Sequence, residues 1–140
     1  MDWRKCIDIL TAKGVTPDRA LIASLQETSR NRLATAALLP INETTSESVI
    51  TLYYDSLREL LEAIANAHGY KIYNHECFTA FLREVLKKES EAAAFDRFRK
   101  LRNGINYYAK RVPPGDAAII VQEIKELVQK CKKMLMEKST

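Results

Sequence analysis

An all-α fold is what this sequence predicts: an up-and-down helical bundle of four long helices plus shorter additions, in a single domain over residues 1–140. Three observations predict it. Apolar residues recur at three- and four-residue spacing almost throughout, and no stretch alternates apolar with polar over a useful length. The links between periodic segments are about 2–8 residues long, as antiparallel helix neighbours require. Only 4 Gly and 4 Pro occur in 140 residues, too few for a turn-dense all-β chain. The 46% hydrophobic and 29% charged content argues against disorder.

The elements follow in order. Trp3, Cys6, Ile7 and Leu10 share one face of a first helix, which the spacing extends to Lys13, with Gly14 as its stop. Thr16-Pro17 opens a second helix, Thr as cap and Pro in the first turn, where its missing N–H is no loss. Its stripe is Leu21, Ile22, Leu25, Leu33 and Ala36 or Ala37, and Pro40 ends it. After the polar link 41–46, capped by Thr45 or Ser46, the third helix carries Val49, Ile50, Tyr53, Leu57, Leu60, Leu61 and Ile64 on one face. His68-Gly69 stops it. YKIYN (70–74) is a connector; it could pass for a strand, but one strand has no partner. Asn74 caps a fourth helix with the stripe Phe78, Phe81, Leu82 and Val85. Ser90 caps a fifth, bearing Phe95, Phe98, Leu101, Ile105 and Tyr108. Gly104 costs that helix about 1 kcal/mol relative to Ala, which close approach of a neighbouring helix would offset. Pro113-Pro114-Gly115 reads as a turn, and Asp116 caps the last helix. Its face is Ile120, Val121, Ile124, Leu127, Val128, Cys131 and Leu135, and the final KKMLMEKST is expected to fray.

No run of 18 apolar residues occurs, so no spanning helix is expected. MDWRKCIDIL is too polar for a secretory signal, and a cytoplasmic location is the expectation. Cys6, Cys77 and Cys131 are far apart and odd in number, without a CxxC pair. They read as buried free thiols, neither a zinc ribbon nor a disulfide scaffold. Net charge is +4 but uneven: residues 1–74 hold 8 Lys/Arg against 9 Asp/Glu, and residues 75–140 hold 14 against 9. The basic half can attract nucleic acid or an acidic partner, or simply form a solvated helical face.

Phosphate-loop, dinucleotide, zinc-protease and serine-hydrolase motifs are absent. His68 and His75 flank one connector with no suitably spaced third ligand, so both read as structural, and neither a metal nor a cofactor is expected. His68, near a helix C-terminus, is favoured electrostatically when protonated. In TLYYDSLREL (51–60) Tyr53 and Leu57 are core by spacing, Tyr54 lies off that stripe as an interface ring, and Asp55 can pair with Arg58. The richest stretch is FDRFRKLRNGINYYAKR (95–111), with Arg97, Arg99, Lys100, Arg102, Lys110 and Arg111 against Asp96 alone. Arg102 stands beside the apolar stripe. A partly buried guanidinium there needs a carboxylate, a helix C-terminus or a bound phosphate. Asn103 adds a donor and an acceptor, and Tyr107 and Tyr108 offer faces for base stacking. This describes a nucleotide or nucleic-acid surface. It equally describes a helix edge packed on a partner, with Arg102 bonded to Asp55 or Glu59.

Three segments, in this order, resemble the HEPN superfamily (higher eukaryotes and prokaryotes nucleotide-binding domain), over roughly residues 17–135. They are RALIASLQETSRNRLATAALL, with its paired leucine; YYDSLRELLEAIANAHGYKIYNHECFTAFLREV, with a Gly-containing break before a His that begins a helix; and LRNGINYY. The last stands where the family carries an Arg, a polar residue, a short gap and often a His. The resemblance implies an up-and-down bundle that often dimerises. Many members are metal-independent ribonucleases; others bind nucleotides or partner small nucleotidyltransferases in toxin–antitoxin or defence systems. Arg102 and Asn103 match the first two signature positions, while Tyr107 stands in place of the His. A Tyr, with a pKa near ~10, is a poor base at pH 7. His75 matches the family's other recurrent His, read as structural.

Three functions are therefore in view. The first is a homodimeric RNA- or nucleotide-binding bundle using Arg102, Asn103, Tyr107, Arg99, Lys110 and Arg111. Next comes a protein-interaction or antitoxin-like partner of a small nucleotidyltransferase. A degenerate metal-independent endoribonuclease ranks last.

Overall fold

The computed structural model describes residues 1–139. The fold is all-α, with six helices among the described residues: α1 (Trp3–Asp8), α2 (Arg19–Ala37), α3 (Ser46–Ala67), α4 (His75–Ala80), α5 (Glu89–Tyr108) and α6 (Pro114–Ser139). Two three-residue strands, β1 (Ala12–Gly14) and β2 (Tyr70–Ile72), make a small antiparallel ladder. None of the described helices is long and apolar enough to cross a membrane.

α3 is the axis of the core. The seven apolar residues expected on its face are all buried. Tyr54, expected at an interface, is fully buried too. The reason is that α3 is enclosed on more than one side, by α2 and α6 and also by α5 and β2. α2 meets α3 through small residues. Ser29 and Ser56 each donate a hydroxyl hydrogen bond to the other's carbonyl, both at 2.9 Å, in a fully buried contact. Arg58 bonds Glu62 one turn on, at 3.1 Å, rather than Asp55, because i,i+4 side chains lie over one another. α6 buries Val121, Ile124, Leu127, Val128, Cys131 and Leu135 as its spacing predicts. The helix runs on through residues 132–139 instead of fraying, since Leu135 docks in the core and Met134 packs against it. Thr140 lies outside the described residues.

The N-terminal segment departs most from its expectation. α1 stops at Asp8, and Leu10 takes a left-handed backbone (φ 62°) that turns the chain into β1. Gly14 is thus a strand residue, not a helix stop. YKIYN does have a partner: Ala12 faces Ile72 and Gly14 faces Tyr70. Gly69, at φ 87°, makes the turn from α3 that aims β2 back along β1. Cys6 and Cys77 are not free thiols. They form a disulfide between α1 and α4, with Cα atoms 6.0 Å apart, and only Cys131 is free and buried. Residues 71 apart in sequence give no local sign of such a bond.

Caps also shift. Asp18, a stronger acceptor one residue past Pro17, caps α2 through Leu21 N at 3.1 Å. Thr45 holds the N-cap position of α3, but its hydroxyl turns back to Pro40 O, and Asn42 Oδ1 receives the N–H of Thr44 and Thr45. Asn74 caps α4 as expected, accepting from Glu76 N at 2.8 Å. That helix leaves α-geometry at a π turn, Phe81–Val85, before α5. Lys88, not Ser90, precedes α5. Pro114 opens α6 as its first residue, which needs no N–H there, so Asp116 sits inside the first turn rather than capping it.

Candidate anion-binding cleft

The spacing 99, 102, 103, 107 puts four polar side chains of α5 along one helix face. That face meets the start of α4. Arg99, Arg102, Asn103 and Tyr107 from α5, with Asn74, His75 and Glu76 from the α4 end, line an open cleft of about 360 Å³. Beneath it lies Tyr54 of α3, stacked on Phe95 with ring centroids 5.6 Å apart.

The charges in this cleft are not equivalent. Arg99 donates from Nε and Nη2 to Asp96 Oδ1 at 3.0 and 2.8 Å. Asp96 also receives Thr79 Oγ1 and lies 3.1 Å from Lys100 Nζ. Burial pushes the Asp96 carboxyl upward, but Arg99, Lys100 and Thr79 outweigh it and hold the group below its usual range. Arg58 is engaged by Glu62. Arg102 has no carboxylate partner among the described residues, neither Asp55 nor Glu59; Glu59 is taken by Arg32. The Arg102 guanidinium instead lies 5.8 Å from the Tyr54 ring centroid and 5.9 Å from that of Tyr107. Its Nε is buried without an acceptor. An unmet buried donor costs roughly 1–3 kcal/mol, and cation–π contact offsets about 0.5–2 kcal/mol of that.

His75 completes the wall. Its Nδ1 lies 3.0 Å from the Tyr54 hydroxyl. Burial, then the charges of Arg58, Arg102 and Arg99, with Glu62 opposing, bring its pKa down to about 4, so the ring is neutral at pH 7. Burial pushes the Tyr54 phenol upward, and it stays protonated. His68, expected to favour protonation, is held the other way by burial and by Lys138. No cluster of three or more potential metal-ligating side chains stands among the described residues.

Two basic residues expected in the site lie elsewhere. Lys110 lines a separate cleft with Arg97, Phe98, Lys100, Leu101, Ile120 and Glu123. Its side chain lies over Gly104, where a Cβ would come within 3.2 Å of Lys110 Cδ. The chain's own return, not a neighbouring helix, accounts for that glycine. Ala109 turns left-handed (φ 54°), and Lys110 N donates to Gly104 O. Arg111 Nε donates to Glu47 Oε1 at 2.9 Å, and Glu47 also receives Val112 N, so this pair fastens the α5–α6 link to α3. Tyr108, expected in the core, is 82% exposed beside Tyr107 at 68%. Tyr108 is the last residue of the helix, and its ring is left to solvent. Asn74, His75 and Glu76 are the cleft residues that the sequence pattern does not assign to a site. The only local sign is Asn74 as a cap, which fixes the start of α4.

No model of a known protein family matches this chain, and a search of curated proteins finds no relative.

Proposed function

We propose that the α4–α5 cleft binds a phosphate group of an RNA strand or a nucleotide. Arg102 is the anchor, Arg99 adds positive potential, Asn103 donates, and Tyr107 stacks a base at the rim. A single observation carries this reading: a half-buried guanidinium with a stranded Nε and no carboxylate partner among the described residues. Such a charge is stabilised when an anion arrives, because charge-assisted hydrogen bonds replace missing ones. Lys110 and Arg111 take no direct part. The same proposal takes the chain as a divergent HEPN-like, up-and-down bundle of α2, α3, α5 and α6 with shorter additions. It acts as a homodimer, in the cytoplasm. Disulfides are rare in that compartment, but both sulfurs of this one are fully buried, away from small thiols.

The test is fluorescence anisotropy with a labelled single-stranded oligoribonucleotide over a salt series. Binding should weaken as salt rises, and Arg102→Ala should abolish most of it with helix content unchanged. Salt-independent binding, or an unaffected Arg102→Ala, removes the proposal.

A second reading rests on a different surface. Leu38 is 84% exposed and Leu39 37%, next to a groove of about 260 Å³ between α2 and α6 lined by Leu33, Ala37, Tyr53 and Val128, with Lys125 and Gln129 at its polar side. This apolar patch supports a protein-interaction role, the partner being of the small-nucleotidyltransferase kind. Metal-independent RNA cleavage is the weakest alternative, since Tyr107 stands where the resembled signature carries its His.

A further inference from the structure

The Tyr54 ring is fully buried, and its hydroxyl is hydrogen-bonded to His75 Nδ1. A buried hydroxyl left without an acceptor is costly, so the O–H must donate, and Nδ1 must accept. A neutral imidazole that accepts at Nδ1 carries its proton on Nε2. Nε2 makes no hydrogen bond among the described residues, and His75 lines the cleft. Asn74 contributes similarly: its Oδ1 is used by Glu76 N, which leaves the amide N–H₂ as its free end. Glu76 also lines the cleft, but its carboxylate is answered by the Met1 ammonium at 3.0 Å; with Arg102 and Asn103 alongside, the wall offers mainly donors, which suits phosphate oxygens.

We propose that His75 is an anion-contacting residue whose Nε2–H, fixed as a donor by Tyr54, bonds a phosphate oxygen held by Arg102. This rests on the anion-binding reading of the cleft. It adds a residue that the sequence pattern marks only as structural. It also separates two roles: Tyr54 positions, and His75 touches the ligand. Because the ring is neutral, its contribution is directional rather than electrostatic. Lys at this position would add charge but not reproduce the fixed geometry.

Nitrogen NMR of protein labelled at its histidine and arginine side chains tests this directly. Without ligand, the His75 ring should show a proton on Nε2 and a bare, hydrogen-bonded Nδ1. Titration with inorganic phosphate should shift both His75 Nε2 and the Arg102 side chain. Parallel titrations with 5′-AMP and a short oligoribonucleotide should shift the same nuclei, and the tighter arm tells a free nucleotide from a strand. A proton found on Nδ1, or phosphate shifts at Arg102 without one at His75, overturns this inference and leaves the cleft reading standing. No shift at either residue defeats both. His75→Phe keeps the ring volume and removes the donor; it should weaken phosphate binding about two- to tenfold, and unchanged affinity in that folded variant also overturns the inference. Tyr54→Phe should mix the two tautomers while Arg102 still responds; an unmoved tautomer counts against the positioning role.

Discussion

Arg97 and Arg102 sit five residues apart on the same helix and illustrate two fates of a guanidinium. Arg97 is 60% exposed and donates to Glu123 at 2.5 Å, with its charge also over the Phe98 ring at 5.1 Å. The cleft around it, on the α6 side of α5, holds Lys100 and Lys110 as well. Yet Arg97 is answered by Glu123 and Lys100 by Asp96. Arg102, on the α4 side, is more buried and has two rings for company in place of an acid. The basic stretch looks uniform in sequence. The difference teaches that density of positive charge does not locate an anion site. The location follows from which buried guanidinium the fold leaves without a carboxylate.

The largest expected effect is on binding. Arg102→Ala should weaken oligoribonucleotide or nucleotide affinity about tenfold or more, from the loss of roughly 1.5–3 kcal/mol of charge-assisted bonding. Arg97→Ala should change it by no more than about twofold, as a screened rim charge does. Equal effects in anisotropy titrations would break the comparison.

Stability should run the other way. Arg32 pairs with Glu59, which is only 4% exposed, so Arg32→Met leaves a buried carboxylate alone. A cost of about 2 kcal/mol in urea melts is expected, below the value for fully buried pairs because Arg32 is 40% exposed. Arg102→Met removes an unanswered charge and should be neutral within about 0.5 kcal/mol. Tyr107→Ala should then reduce base-containing ligand affinity about fivefold while leaving inorganic phosphate binding unchanged, since stacking is worth about 1 kcal/mol at the low end.

Near neutral pH the smallest effect is a pH dependence, which grows only in acid. His75 has a folded pKa of about 4 against an ordinary 6.5, so the unfolded chain binds its proton first. Stability is therefore full above about 6.5 and falls as pH drops toward about 4. His68 is shifted in the same direction, so His75→Gln should flatten this slope in thermal melts without removing it. A slope that is unchanged in the variant would show that neither burial nor the cleft cations act on this ring.

Much of the fold was readable from periodicity. The face of α3 and the face of α6 bury as their spacing requires, because a helix core stripe is a local pattern. Arg102 was readable for a related reason: its offset from Phe98 and Ile105 puts it at the boundary of that stripe. What escaped were relations between distant segments. Ala12–Gly14 pairs with Tyr70–Ile72 across α2 and α3, and three-residue strands carry almost no periodic signal. Cys6 finds Cys77 only because α1 lies against α4. His75 became a cleft residue through Tyr54, whose burial depends on the packing of several helices rather than on its own neighbours.

The sulfur bridge has a practical outcome. It closes a covalent ring through residues 6–77, and the exposed stretch around Glu43 and Thr44 lies within it. A protease that cuts there makes two fragments that still migrate as one species on a gel until a thiol is added. The molecule can lose a peptide bond between its second and third helices without losing the connection between its halves.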